Sequence, residues 1–239
     1  MESIEKETQD WYKEYYVKKG KDRNDLLTNP EVLFQHLAFE DSVISALRRA
    51  TNLCRETSKI LDVGCGGGGS LTRFLQLGFQ PKNLYGIDLL QERIDEGVRK
   101  YPNLNLICDD AASMAYESDM FDLVLESTMF VQITDEGLSQ KISQEMLRVT
   151  KPGGYLMLID WRYSKPGNSN YLALSTKRID KMFSVGSLSD VICKTNGALV
   201  PPVGRAISKY LPSTYFLLKT IFPFLVGSKT TLLQKRMPD

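Results

Sequence analysis

The segment over residues 60–71 constrains this chain most, because an apolar run there leads into five glycines within six positions and then into a helical pattern. Glycine has no Cβ atom, so it tolerates backbone conformations and close approaches that exclude other residues. Gly64, Gly66 and Gly68 follow Asp62 with the spacing Asp-x-Gly-x-Gly-x-Gly. We predict a strand that bends sharply into a helix, with main-chain amides turned toward a nucleotide-like ligand.

Four further apolar runs follow at regular intervals, with helical segments between them. They cover residues 84–90, 104–111, 121–127 and 148–160, and the last comprises a helix end, a Lys-Pro-Gly-Gly turn and a strand. Alternation of this kind predicts a parallel sheet with right-handed crossovers. A ligand is then expected at the carboxyl ends of the first, second and fourth strands, where the strand order reverses.

The ordered set over roughly residues 55–165 resembles the class I S-adenosylmethionine-dependent methyltransferases of the type 11/25-like kind. Nicotinamide-binding domains use a similar glycine loop, but their pattern is Gly-x-Gly-x-x-Gly, whereas this loop reads Gly-x-Gly-x-Gly. The Lys-Pro-Gly-Gly turn also resembles a hallmark of the methyltransferases. The resemblance implies an α/β fold with a Rossmann-like, seven-stranded, mostly parallel sheet and helices on both faces.

The resemblance also implies that S-adenosyl-L-methionine is the cofactor and S-adenosyl-L-homocysteine the product. Asp88 lies 24 residues beyond Gly64, a distance that fits a carboxylate binding ribose hydroxyls. Asp110 aligns better than Asp109 with the family's adenine-binding acid, and Ala111 would offer its amide; the alternative for this acid is a solvated turn. The expected cofactor-binding residues are Asp62, Gly64, Gly66, Gly68, Asp88, Leu89, Asp110, Ala111, Glu126, Tyr16 and Arg23.

A length of 239 residues with 42% hydrophobic content suits one domain. We expect an N-terminal helical lid over residues 1–55, a cofactor-binding core over 56–165, and a helical insertion with the closing strands over 166–239. Asn29 before Pro30 predicts a helix across about 30–52. Residues 186–202 are expected to be irregular and 230–234 to form the final strand, while the sixth strand is not located by the pattern.

Two residues are candidates for the catalytic base. Gln132 stands where many relatives with small acceptors carry a histidine, and glutamine cannot take up a proton at neutral pH. His36 is the chain's single histidine and falls in the N-terminal helical segment. Asp160, at the end of the fifth strand, is the competing base. Only Glu126 and Asp160 offer oxygen ligands near this site, so no metal is expected.

The composition of the chain restricts the classes of molecule that we expect as methyl acceptor. The formal net charge of +1 gives no broad field for a polyanion, so nucleic acid is not expected. The four cysteines are widely spaced and suggest no disulfide framework, which favours a cytoplasmic location. No apolar window reaches the length of a membrane span. We therefore expect O-methylation of a small-molecule or glycan acceptor, and the chain also resembles methyltransferases of bacterial surface-glycan gene clusters.

Two alternatives remain open from the sequence. The apolar stretch over residues 210–226 is either a helix buried against the sheet or a peripheral contact with a membrane or a lipid-linked acceptor. A noncatalytic protein that binds S-adenosylmethionine or S-adenosylhomocysteine would also explain the absence of an obvious base.

Overall fold

A computed structural model describes residues 25–164, 167 and 170–237. The chain divides into two compact units. The core unit comprises the described residues of 43–195 and 229–237, and the helical unit comprises residues 25–42 and 196–228. Tyr16 and Arg23 lie outside the described residues.

The core unit is built on one seven-stranded sheet. Its strands are β1 (Ile60–Val63), β2 (Leu84–Asp88), β3 (Asn105–Cys108), β4 (Phe121–Ser127), β5 (Thr150–Trp161), β6 (Ser189–Asn196) and β7 (Ser228–Lys235). The strand order is β3-β2-β1-β4-β5-β7-β6, and the β3–β2, β2–β1, β1–β4 and β4–β5 pairs are parallel. The Arg236 amide donates to the Leu188 carbonyl, so the end of β7 lies beside the start of β6 and this pair is antiparallel. The predicted seven-stranded, mostly parallel sheet is confirmed.

The strand order reverses between β1 and β4, which places the carboxyl ends of β1, β2 and β4 together. Glu126 at the end of β4 pairs in register with Val63 of β1 and Leu158 of β5. All four residues of β1 are buried, as expected for a central parallel strand covered on both faces. The helices of the core unit are α2 (Thr72–Gln76), α3 (Gln91–Lys100), α4 (Glu136–Val149) and α5 (Thr176–Met182).

The prediction of irregular backbone over residues 186–202 is wrong, because β6 occupies Ser189–Asn196. The strand lies at one edge of the sheet and pairs on one side only. Most of its residues are half-buried or exposed, so the sequence lacks the clear alternation of buried and polar positions that identifies a strand. The sixth strand is therefore set by pairing with β7, whose observed bounds extend the predicted 230–234.

The helical unit contains the start of α1 (Leu33–Leu47), together with α6 (Pro201–Tyr210) and α7 (Tyr215–Ile221). Asn29 caps the helical turn that lies just before α1, because its side chain accepts from the Glu31 amide at 3.0 Å, as the sequence predicts. The helix α1 itself ends earlier than the predicted residue 52. Tyr215 is fully buried, and its hydroxyl accepts from the Leu199 amide at 3.1 Å.

The helical unit also exposes many large apolar side chains. Those of the C-terminal segment are Tyr210, Leu211, Phe216, Leu217, Ile221, Phe222 and Phe224. Tyr215 of the same segment is buried, so the segment over residues 210–226 has both a buried part and an exposed apolar part. Among the described residues, no helix has the length and hydropathy that crossing a membrane requires.

In the core unit, the backbone of α3 packs closely against the backbone of the glycine loop. A Cβ atom at Gly97 would lie 2.9 Å from the Gly67 carbonyl oxygen and 2.7 Å from a methyl group of Leu106. A Cβ at Gly86 would likewise lie 2.7 Å from the sulfur of Cys65. Glycines far apart in sequence thus allow β2, α3 and the loop to pack together.

We expect Gly97→Ala to destabilise the protein by about 1–2 kcal/mol, because overpacking against backbone outweighs the gain in helix propensity. Urea unfolding measures the change. Gly69→Ala is the matched control, since a Cβ there would meet nothing within 4 Å. Equal unfolding free energies for Gly97→Ala and the wild type would show that the approach of α3 to the loop is looser than described.

Candidate functional site

The loop after β1 takes left-handed backbone conformations at three glycines. Gly64, Gly66 and Gly68 have φ values of 74°, 56° and 78°, a region that favours glycine. A Cβ at Gly64 would also lie 3.0 Å from the sulfur of Met129, in the segment after β4. These glycines therefore set the backbone path of the loop at the carboxyl ends of β1 and β4.

Asp88, at the end of β2, holds this loop in place. Its Oδ2 atom accepts from the Gly66 amide at 2.8 Å, and its Oδ1 atom accepts from the Leu90 amide at 3.0 Å. The Arg93 guanidinium lies 4.0 Å from Oδ2. A carboxylate has about four acceptor positions. Asp88 thus has capacity to accept from a ligand hydroxyl while it fixes the loop.

Asp62, on β1, is buried without a hydrogen-bond donor from the described residues. Its side chain is 1% exposed, and among the described residues neither carboxylate oxygen has a hydrogen-bond partner. Burial raises the pKa of Asp62 to about 8; the Arg73 charge opposes this rise and the Asp88 charge adds to it. A buried hydrogen-bond acceptor without a donor raises the free energy of the folded state. A ligand that brings a positive charge or a hydrogen-bond donor to Asp62 would therefore bind favourably there.

The acids after β3 form a turn. Asp109 accepts from the Asp110 amide at 2.9 Å and from the Ala115 amide at 2.9 Å, and Asp110 accepts from the Ala112 amide at 2.8 Å. The Asp109 amide donates to the Asp88 carbonyl at 3.1 Å, which brings the ends of β2 and β3 together. Leu89 and Ala111 are both half-buried at this edge of the sheet.

A second pair of buried acids lies at the ends of β4 and β5. Glu126 is fully buried and accepts from the Met129 amide at 3.0 Å and from the Ile159 amide at 3.1 Å. Asp160 accepts from the Val131 amide at 3.0 Å and from the Trp161 amide at 2.7 Å. The sequence predicts that both acids lie at strand ends near the site. It does not predict that the charge of one acid affects the pKa of the other.

Burial raises the pKa of both acids. It raises the pKa of Glu126 well above its usual value, and the neighbouring Asp160 charge adds to the rise. Burial raises the pKa of Asp160 to about 7, against the amide hydrogen bonds and the Arg178 charge, which favour the carboxylate. Burial therefore favours the protonated form of both acids, and the pKa of Asp160 lies close to neutral pH.

Arg178, on α5, is a site residue that sequence reasoning missed. Its guanidinium donates to the carbonyls of Phe130, Leu172 and Ile133 at 3.1, 3.0 and 2.7 Å, and to the Ser139 hydroxyl at 2.8 Å. It therefore fixes the segment that follows β4 and places a positive charge near Asp160. No motif around residue 178 indicates this role.

A cavity of about 170 Å³ borders Asp160 at the carboxyl end of β5. The side chains of Leu158, Leu174 and Ile179 form an apolar part of its wall. His36, the other candidate base, is exposed on α1 in the helical unit. Among the described residues, no group of three or more His, Cys, Asp or Glu side chains could hold a metal ion.

Residues 60–154 match a protein family described as a methyltransferase domain. A phthiotriol/phenolphthiotriol dimycocerosates methyltransferase of Mycobacterium ulcerans is 30% identical over 122 residues, which cover 49% of this chain and 42% of that protein. A 2-methyl-6-phytyl-1,4-hydroquinone methyltransferase of Synechocystis is 34% identical over 107 residues, covering 43% of this chain and 31% of that protein. This chain thus spans less than half the length of these curated relatives.

Among solved structures, the cyclase SpnF superposes with a TM-score of 0.59 and 16% sequence identity, over 85% of this chain and 81% of that one. The fold is the Rossmann-like fold of the class I methyltransferases. Similarity at this level of identity defines the fold alone.

Asp62→Asn tests the uncompensated burial of this carboxyl through the pH dependence of stability. The native pKa of about 8 lies above the value of about 3.9 for an unfolded Asp, so the native state binds the extra proton between these values. The free energy of unfolding of the wild type should therefore fall as pH rises from about 4 to about 8, by an amount on the order of a few kcal/mol. Asp62→Asn should show a smaller fall than the wild type, because the fall that remains comes from Glu126 and Asp160, whose pKa values are also raised.

Urea unfolding at a series of pH values, without added ligand, measures the effect. Asp95→Asn, a change at an exposed helix position, is the control and should retain the wild-type slope. If Asp62→Asn and the wild type lose stability in parallel over this range, Asp62 is not the buried, protonated group described above.

Proposed function

We propose that the protein transfers a methyl group from S-adenosylmethionine, with the donor bound at the carboxyl ends of β1, β2 and β4. The buried Asp62 carboxyl, which has no hydrogen-bond partner among the described residues, carries this proposal. It lies on the strand that enters the glycine loop, where the methionine ammonium of the donor would supply the missing charge and donors. The family match over residues 60–154 supports the same conclusion.

The other parts of the donor fit the neighbouring strand ends. Asp88 would accept from the ribose hydroxyls beside Leu89, and Asp110 with the Ala111 amide would bind the adenine. Gly64, Gly66 and Gly68 let the backbone approach the donor, and Glu126 would contribute its main-chain carbonyl near the ammonium. For Tyr16 and Arg23 the proposal stays a sequence-based one, a contact with the donor carboxylate.

The donor supplies an electrophilic methyl group on a sulfonium, which the acceptor displaces in line. This chain's residues then have to align the acceptor, exclude water and, for a hydroxyl acceptor, remove a proton. We propose Asp160 as the base, because it lines a cavity and its pKa of about 7 suits proton exchange at neutral pH. His36 remains the second proposed base.

For the acceptor we propose O-methylation of a small molecule or glycan. A lipid or isoprenoid acceptor is the second candidate, favoured by the exposed apolar side chains between Tyr210 and Phe224. The names of the relatives from Mycobacterium ulcerans and Synechocystis, which refer to a dimycocerosate and a phytyl hydroquinone, support this second candidate.

Transfer of labelled methyl from S-adenosylmethionine into a fractionated lysate tests the function and the acceptor together. We expect label in the carbohydrate or small-molecule fraction, and label in the lipid fraction would select the second candidate. Asp88→Ala should lose label and bind S-adenosylhomocysteine about 100-fold more weakly, because two hydrogen bonds to a charged group are removed. Asp95→Ala, at an exposed position of α3, is the matched control.

Wild-type protein that does not bind S-adenosylhomocysteine would contradict the proposal. Binding without transfer to any fraction would instead favour a noncatalytic protein that binds the donor or its product.

The base is tested on the acceptor that this assay identifies. With Asp160 as base, the rate of methyl transfer should rise through a pH near 7 and level off above it, since only the carboxylate accepts a proton. Asp160→Asn should lower the rate by about 100-fold or more and remove this rise, with S-adenosylhomocysteine affinity retained. A large loss in His36→Ala, with Asp160→Asn near the wild type, would assign the base to His36.

A further inference from the structure

The cavity beside Asp160 has a strongly cationic lining that methyl transfer by itself does not require. Arg162 follows β5, Lys194 lies near the end of β6, and Lys229 lies near the start of β7. Because β7 runs antiparallel to β6, the start of β7 and the end of β6 lie at the same end of the strands. The three positions therefore lie close together there. The hydroxyl groups of Ser175, Thr176 and Thr231 line the same cavity. We call the cavity with these residues the cationic pocket.

The lysines of the cationic pocket are not neutralised by the acids described around them. Among the described residues, neither Lys194 nor Lys229 forms an ion pair with a carboxylate, and the Lys194 ammonium lies 3.5 Å from the Thr176 hydroxyl. Asp160 also lines the pocket, but its carboxylate oxygens accept from the amides of Val131 and Trp161.

The charges in the pocket also repel one another. Burial lowers the pKa of Lys229, and the charges of Arg162 and Lys194 lower it further. Like charges that line one cavity are stabilised by an anion between them. The pocket therefore has the electrostatic character of a site for a multiply charged anion.

The volume and the lining of the pocket suit a phosphoryl group attached to an organic molecule. Its volume of about 170 Å³ is about tenfold larger than the roughly 10–15 Å³ that one water molecule needs, so a phosphoryl group has room there. Ammonium, guanidinium and hydroxyl groups can donate together to the several oxygens of a phosphate. The apolar wall formed by Leu158, Leu174 and Ile179 would contact the organic part.

We propose that the cationic pocket binds a phosphoryl group, and that the methyl acceptor is a phosphorylated compound held there beside Asp160. The role as an acceptor site depends on the function proposed above, whereas the binding of phosphate does not. A dianion matches three cationic side chains better than a carboxylate does, so phosphate is preferred to a carboxylic acid.

Binding of methyl phosphate to the full-length protein at fixed ionic strength tests the pocket directly. Calorimetric titration should show binding to the wild type and weaker binding of acetate. The double variant Lys194→Gln with Lys229→Gln should bind methyl phosphate about 100-fold more weakly, at about tenfold for each charged hydrogen bond. Lys82→Gln, at an exposed position before β2, should bind as the wild type does.

A second arm distinguishes the sources of the phosphate. Phosphatidylcholine vesicles that contain phosphatidic acid present the group on a lipid, whereas methyl phosphate presents it in solution. Binding of either probe that is lost in the double variant supports the pocket and identifies the source. Binding of neither probe, equal binding by the double variant, or tighter binding of acetate would overturn the proposal.

Binding of S-adenosylhomocysteine to the same samples separates this proposal from the proposed function. The double variant should retain wild-type affinity for S-adenosylhomocysteine, which also shows that it is folded. If methyl phosphate binds in the cationic pocket and S-adenosylhomocysteine does not bind at all, the phosphate site stands and the proposed methyl transfer fails.

Discussion

The close packing of the glycine loop against β2 and α3 is the constraint on which the candidate site depends. Asp88 can accept from the Gly66 amide because the loop turns back over the end of β2, and that turn uses left-handed conformations at glycine. Gly97 leaves room for the Gly67 carbonyl on the side of α3. One backbone arrangement therefore fixes the positions of the glycine loop, of the Asp88 carboxylate and of the start of α3.

Four acids of the site are buried, and apart from Asp88, which holds the glycine loop, the fold treats them in two ways. Glu126 and Asp160 each accept from two backbone amides, which offsets part of the cost of burial and ties the segment after β4 to the end of β5. Asp62 has no such donors among the described residues. An acid that the fold leaves without donors is the place where a cationic ligand gains most, which is why it carries the proposed function.

Sequence patterns predict the strands correctly where the local pattern of apolar residues agrees with the burial that the tertiary fold imposes. The strands β1, β2, β4 and β5 are central, so their apolar runs are continuous and end at glycine or acidic residues that mark the site. The edge strand β6 was missed because pairing with β7 determines it, while its own pattern is weak. Arg178 was missed because its role depends on carbonyl groups up to 48 residues away in sequence.

The alternation of strands and helices, the glycine loop and the acids at the strand ends can be predicted from the sequence, because short-range spacing encodes each of them. The three-dimensional fold determines which of these acids are buried and which accept hydrogen bonds from backbone amides. It also decided that Arg162, Lys194 and Lys229, from three different strands or their ends, line one cavity. Burial and charge proximity depend on which strands become neighbours, and spacing along the chain does not contain that information.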